Sequence, residues 1–137
     1  MDLLLSADHS RLFVEEYLEK GECFVAEHND QIIGVYVLIQ TRPRMAELVN
    51  IAVVERQQGK GIGKQLILNA IQTAKVKGYK TLEVGTGNSS IGQLALYQKW
   101  GFRIIGVYFH FLIRHYPEKI FENGIQCRDM IRLSQDL

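Results

Sequence analysis

The stretch QQGKGIGKQL, Gln57 to Leu66, sets Gly59, Gly61 and Gly63 at alternate positions with Lys60 and Lys64 among them. Glycine in a helix costs about 1 kcal/mol relative to alanine, so glycines crowded at a helix entrance need another reason to be there. No Ser, Thr, Asp or Asn lies between Gln57 and Lys64 to cap the first N–H groups of the helix that follows, and those donors still need an acceptor. An anion meets the need, because the bare N–H groups and the helix dipole both favour negative charge, and Lys60 and Lys64 add to it. A solvated, uncapped helix start is the plainer alternative.

Two familiar phosphate loops do not fit these letters. Walker A requires glycine where Gln58 stands and Ser or Thr where Gln65 follows Lys64. The dinucleotide fingerprint begins well with Gly59 and Gly61 but requires glycine at Lys64, and the strand ahead of it is not the first of a βαβ unit.

Flanking elements must hold such a loop in place. Ahead of it, AELVNIAVV, Ala46 to Val54, is rich in β-branched residues and reads as a strand. Behind it, Ile62, Leu66, Ala70 and Ala74 with Ile67 and Ile71 form one apolar stripe, which predicts a helix from Gly61 to Lys77 ending at Gly78. Upstream, SRLFVEEYLEKG pairs Phe13 with Tyr17 and Val14 with Leu18 at i,i+4, with Ser10 as cap and Gly21 as stop. ECFVAE and IIGVYVLIQ flank HND and read as a hairpin. Downstream, TLEVGT reads as a strand, Asn88 and Ser90 supply caps for a helix from Ile91 to Trp100, and Gly101 ends it. FRIIGVYFHFLI is expected as one long strand and IQCRDMIRLS as the last. The alternation predicts a single α/β domain over residues 1–137, a mixed sheet covered by helices on both faces.

Composition narrows the partners. With 47% apolar and 23% charged residues the chain has the makings of a sizeable core, and its net charge of +1 argues against a non-specific nucleic-acid or anionic-membrane surface. No apolar stretch approaches the roughly 18 residues of a membrane span, and MDLLLSADHS lacks the pattern of a signal peptide, so a cytoplasmic location is expected. Cys23 and Cys127 lie in separate apolar, strand-like stretches and are expected as buried free thiols. His9, His28, His110 and His115 show no metal-ligand spacing, so no metal is expected.

The pattern that does fit the glycine stretch is Gln58-x-x-Gly61-x-Gly63, followed downstream by YQKWGF, Tyr97 to Phe102. In these two motifs the chain resembles the GNAT superfamily of acetyl-CoA-dependent N-acetyltransferases, whose signatures are Q/R-x-x-G-x-G/A and Tyr-x-x-x-Gly-Phe. TGNSSIGQLALYQKWGF and FENGIQCRDM are also similar to an uncharacterised bacterial branch of that superfamily. The resemblance implies a GNAT-like fold with a mostly antiparallel mixed sheet. It also implies a first strand well ahead of the SRLFVEEYLEKG helix, where this sequence has only MDLLLSADH.

The resemblance implies roles as well. Backbone N–H groups of Gln58, Gly59, Lys60, Gly61, Gly63 and Lys64 would hold the coenzyme A pyrophosphate, and the backbone of Ile51, Ala52 and Val53 would pair with the pantetheine arm. Asn88 is a further cofactor contact, although capping explains it equally well. Glu47 is the candidate base: if alternation holds it shares the face of Val49, Ile51 and Val53, where a carboxylate is expensive unless used or paired, although family strands often bulge here and an exposed or salt-bridged Glu is the plainer alternative. Tyr97 matches the family tyrosine whose hydroxyl lies near the thioester sulfur, and a phenol of pKa about 10 suits a departing thiolate. The implied reaction is acetyl transfer from acetyl-CoA to a small-molecule or peptide amine, the co-substrate being acetyl-CoA without a metal. Neither cysteine falls in a family catalytic element, so an acetyl-cysteine intermediate is not expected. A non-catalytic acyl-CoA-binding module is the alternative. Glu118, Glu122 and Asp129 in the tail would favour a cationic acceptor, Arg42 and Arg44 a carboxylate-bearing one, with plain solvated surface the alternative for either set. Homodimers are common in the family, and nothing in the sequence marks an interface.

Overall fold

The computed structural model describes residues 2–8 and 10–137. The expectation for His9 lies outside the described residues. The chain divides into two compact units, one reaching to Leu82 and including Leu137, the other Glu83–Asp136.

The first unit begins with two helices, α1 (Asp2–Ala7) and α2 (Arg11–Lys20). The MDLLLSADH segment thus contains a helical turn and a half rather than a strand. Ser10 caps α2 as expected, its hydroxyl accepting from the Phe13 N–H at 3.3 Å. Gly21 ends the helix with its N–H donating to the Tyr17 carbonyl at 2.9 Å. Three strands follow: β1 (Glu22–His28), β2 (Gln31–Arg42) and β3 (Met45–Val53). They form an antiparallel meander. Asn29 and Asp30, both at positive φ, make the two-residue turn between β1 and β2. A 3-10 turn over Glu55–Gln57 leads into α3 (Ile62–Val76), whose stripe of Leu66, Ile67, Ala70, Ile71 and Ala74 is buried as its spacing predicts.

The meander is covered on both faces. Val35, Val37 and Ala52 join Leu4, Val14 and Tyr17 in one core cluster with α1 and α2. On the other face Tyr36 sends its hydroxyl to α3, donating to Asn69 Oδ1 at 2.6 Å and lying 3.0 Å from Thr73 Oγ1. Cys23 is exposed, contrary to expectation, because β1 ends the strand order and has a neighbour on one side only.

In the second unit β4 (Thr81–Gly87, shared at its start with the first) precedes α4 (Ile91–Lys99), β5 (Arg103–Tyr108), α5 (Phe111–His115), the short pair β6 (Phe121–Glu122) and β7 (Ile125–Gln126), and β8 (Met130–Asp136). The strand order there is β4-β8-β5, with β5 and β8 antiparallel. Two expected strands are broken. FRIIGVYFHFLI stops at Tyr108, where His110 at φ 64 turns the chain into α5, and IQCRDMIRLS is interrupted between Gln126 and Met130. FRIIGVYFHFLI is an apolar run longer than a strand and IQCRDMIRLS a mixed one, and the periodicity of neither marks where the strand ends.

Gly21 gives a test of how tightly α2 sits on the meander. A methyl group there would stand 2.6 Å from the Leu38 carbonyl oxygen and 2.5 Å from Ile39 Cγ2. Gly21→Ala is expected to lower stability by about 1–3 kcal/mol, read in urea as a lower midpoint at unchanged slope. An unchanged midpoint would mean that α2 moves off the sheet at no cost.

Candidate acyl-CoA site

One irregularity in β3 decides which way its side chains face. Val37 lies opposite Asn50 and Leu38 opposite Leu48, so Val49 is an extra residue, a β-bulge. Residues opposite one another share a face. Asn50 and Ala52 therefore turn with Val37 and Val35 toward α1 and α2, and Glu47, opposite Ile39, turns the same way. Simple alternation would have set Glu47 beside Ile51 and Val53. The bulge puts it on the opposite face, half-buried, toward the N-terminal helices.

Asn50 holds that region together. It is only 5% exposed, and its Nδ2 donates to the Leu4 carbonyl at 2.9 Å and to the Tyr17 hydroxyl. One amide thereby ties α1 and α2 to β3, three residues from Glu47. Burial pushes the Tyr17 phenol up to about 12, against the opposing hydrogen bond from Asn50, so it stays protonated at neutral pH. Sequence reasoning placed Tyr17 on a helix face but gave neither it nor Asn50 this role. A lone asparagine inside the apolar run ELVNIAVV was the available signal, since a polar side chain there must find a partner.

At the far end of β3 the glycine loop has the geometry that its composition requires. Gly59 (φ 80) and Gly61 (φ 81) are both left-handed, a conformation costly for other residues, and a Cβ at either would meet no atom within 4 Å. Gly61 is the N-cap of α3, with no side-chain cap bond. The first i→i−4 bond of the helix runs from the Gln65 N–H to the Gly61 carbonyl at 3.1 Å, so the N–H groups of the preceding turn lie ahead of any helical acceptor. Lys60 and Lys64 are exposed beside them. Gln58 differs from expectation: its N–H already donates to the Glu55 carbonyl at 3.1 Å. Its side-chain Nε2 donates to the Val53 carbonyl, also at 3.1 Å, so Gln58 fastens the loop to the end of β3. The N–H of Ile62, which the motif skips, joins the donors of the first turn instead. Along Ile51, Ala52 and Val53 the backbone pairs in register with Tyr36, Val35 and Gly34 of β2.

The remaining candidates belong to the second unit. Tyr97 is 3% exposed, its ring edge-on to Phe102 at 5.6 Å between centroids, and its hydroxyl has no hydrogen bond to another described residue. Burial alone pushes this phenol far above its ordinary value, which removes the expected match with a thiolate of similar basicity. Asn88 is committed to the fold. Its Oδ1 accepts from the Arg128 and Asp129 N–H groups at 2.7 and 3.0 Å, and its Nδ2 donates to the Gln126 carbonyl at 3.1 Å. Neither Asn88 nor Ser90 gives α4 a side-chain cap bond; the Ser90 hydroxyl donates to Glu122 Oε1 at 2.9 Å instead. Asp129 Oδ1 accepts from the His110 N–H at 2.8 Å. Two of the three tail acids are thus structural ties.

The loop geometry makes a direct prediction. Gly61→Val is expected to abolish coenzyme A binding in calorimetry, because the side chain fills space that the protein leaves open, while the left-handed φ adds a smaller cost to stability. Wild-type affinity in a folded Gly61→Val protein would remove the loop from the cofactor site.

Comparison with known proteins agrees with this geometry. The sequence profile of the acetyltransferase (GNAT) family matches residues 4–102. The "Uncharacterized N-acetyltransferase YvbK" of Bacillus subtilis (strain 168) is 62% identical over 136 residues, which are 99% of this chain and 88% of that protein. A crystal structure of a B. subtilis acetyltransferase in complex with CoA superposes with a TM-score of 0.96 at 62% identity, over 99% of this chain and 90% of that one. A GNAT family acetyltransferase from Elizabethkingia anophelis with acetyl-CoA bound gives 0.97 at 51% identity, over 99% and 89%. The mixed α/β fold expected from the sequence is the fold of these enzymes, and the chain belongs to the acetyltransferase (GNAT) family.

Proposed function

We propose that this protein, acting as one N-acetyltransferase domain over residues 1–137, transfers the acetyl group of acetyl-CoA to a primary amine by direct attack in a ternary complex. The observation that carries the reading is the glycine loop: left-handed, sterically open, and set at a helix start without a side-chain cap. The backbone N–H groups from Gly59 to Lys64 hold the pyrophosphate, whose charge completes the cap of α3. The backbone of Ile51–Val53 aligns the pantetheine arm and, near Val53, polarises the thioester carbonyl. CoA and acetyl-CoA in the structures of close relatives support these assignments.

Glu47 takes up the amine proton, through water. The need is large, because an amine of pKa about 10.4 is deprotonated in only about one molecule in 10³ to 10⁴ at pH 7, equivalent to about 4–5 kcal/mol. A half-buried carboxylate on the bulged strand is suited to meet it. Tyr97 donates a hydrogen bond to the departing thiolate. The acceptor is a small-molecule or peptide amine.

Turnover of acetyl-CoA over a panel of amines, followed by thiol release, tests the reading. Stabilisation by CoA without turnover of any amine would leave an acyl-CoA-binding module instead. Within an active protein, Glu47→Gln is expected to keep acetyl-CoA affinity and lower kcat by about 10² or more at neutral pH, the deficit shrinking as rising pH deprotonates the amine unaided. Tyr97→Phe is expected to lower kcat with little change in fold, since its ring packing on Phe102 is retained, and without alkaline rescue. Wild-type kcat in Glu47→Gln from pH 6 to 9 would take the base role from Glu47.

A further inference from the structure

Asn50 is buried on β3, and its fold contacts use only one end of its amide. Nδ2 donates to the Leu4 carbonyl at 2.9 Å and to the Tyr17 hydroxyl, which occupies both of its protons. The Leu4 carbonyl can only accept, so the atom facing it must be the nitrogen, and the amide has one orientation. Oδ1 is left fully buried with no donor among the described residues. A buried acceptor without a donor costs about 1–3 kcal/mol, as much as the Nδ2 bonds return.

The neighbour of Asn50 on its face follows from the bulge. On a regular strand, residues three apart face opposite ways. The extra residue at Val49 brings Glu47 and Asn50 opposite Ile39 and Val37, which are two apart on β2, so the two side chains are next neighbours on one face. Strand rise sets their Cα atoms about 7 Å apart. An ionised carboxylate and an amide oxygen are both acceptors and cannot bond each other; a donor between them serves both. A water about 2.8 Å from each oxygen spans acceptors about 5 Å apart, a separation open to side chains on such neighbouring positions. The other titratable groups around Asn50 are the Tyr17 phenol from α2, with Asp8 and Cys23 in electrostatic reach of that phenol.

Resting on the reaction proposed above, we infer that Asn50 is a positioning residue for its proton transfer: Asn50 Oδ1 and the Glu47 carboxylate together hold the one water through which Glu47 takes the proton of the acceptor amine. A buried water makes about three hydrogen bonds. This one donates one O–H to Asn50 Oδ1 and the other to Glu47, which leaves a lone pair to accept from the ammonium. The ammonium N–H and the water O–H facing Glu47 break, and two O–H bonds form, one on the water and one on the carboxylate. A neutral amine, a water and a carboxylic acid remain. Without Asn50 the water keeps one fixed partner and is free to turn its lone pair away from the amine.

A crystal structure of the full chain with CoA, at a resolution that shows ordered water, tests the placement. One water is expected within hydrogen-bond distance of both Asn50 Oδ1 and a Glu47 carboxylate oxygen. Oδ1 bonded to a protein donor, or no water common to the two oxygens, overturns the inference whether or not the protein is active. Kinetics on an amine that turns over tests the role. Asn50→Leu is expected to keep the KM for acetyl-CoA and to lower kcat about 10- to 10²-fold at pH 7, the deficit narrowing toward pH 9 as the amine deprotonates unaided. Added to Glu47→Gln it is expected to cost nothing further, because both changes disable one relay. Tyr17→Phe loosens the same helix tie but leaves Oδ1 in place, so its kcat and pH profile are expected to match the wild type. An Asn50→Leu deficit that is constant from pH 6 to 9, or that Tyr17→Phe reproduces, is a loss of structure alone and overturns the inference. Should Asn50→Leu fail to fold, the crystal structure decides. A wild type that turns over no amine removes the proposed reaction and the relay with it, whereas an active wild type with full kcat in Asn50→Leu removes the relay alone.

Discussion

The extra residue in β3 governs much of the first unit. Without Val49, every residue before it would face the other way, because a shift of one in a strand exchanges the two faces. Glu47 would then lie on the face that α3 covers, away from Asn50 and the N-terminal helices. With it, Glu47 shares a face with Asn50 and with the ends of α1 and α2. A polar amide is tolerated in the middle of this buried strand because its Nδ2 finds partners there. Asn50 has the Leu4 carbonyl and the Tyr17 hydroxyl within reach, and they in turn fix the two helices against the sheet.

The two ends of β3 therefore do different work on one rigid element. At its start the bulge aims a carboxylate. At its finish Gln58 ties the carbonyl of Val53 to a loop whose left-handed glycines keep the helix start bare. Both ends are positioned by the same strand, so the separation between the carboxylate and the uncapped helix start follows the backbone of β3. In the proposed reaction that separation is what an extended pantetheine arm must span.

The loop was legible in the sequence because its chemistry is backbone chemistry: glycines and a missing cap are visible as letters, and positive φ follows from them. The helices around Ser10 and Leu66 were legible for the same reason, through caps and periodicity. The facing of Glu47 was not, since a bulge changes no residue type: the family resemblance allows for one in this strand, but the letters do not place it. Asn88 and Ser90 misled in a related way. Their types fit a helix cap, but the backbone that passes close to them, Gln126 to Asp129 and Glu122, is supplied from more than thirty residues away and gives them better partners. The breaks after Tyr108 and Gln126 escaped because the residue types of neither stretch mark the point at which a strand turns.

Tyr97 shows how burial refines a role that residue type suggests. An ordinary phenol, near the basicity of a thiolate, could hand over its proton outright. Tyr97 is buried beside Phe102 and held well above that value, so a full transfer to sulfur would be uphill, leaving a phenolate in a site that disfavours charge. A hydrogen bond to developing negative charge carries no such penalty, and it strengthens in a dry environment. The hydroxyl has no competing hydrogen bond to another described residue, so nothing must be broken before it can be donated. In the proposed reaction Tyr97 thus stabilises the thiolate as it leaves, without giving up its own proton.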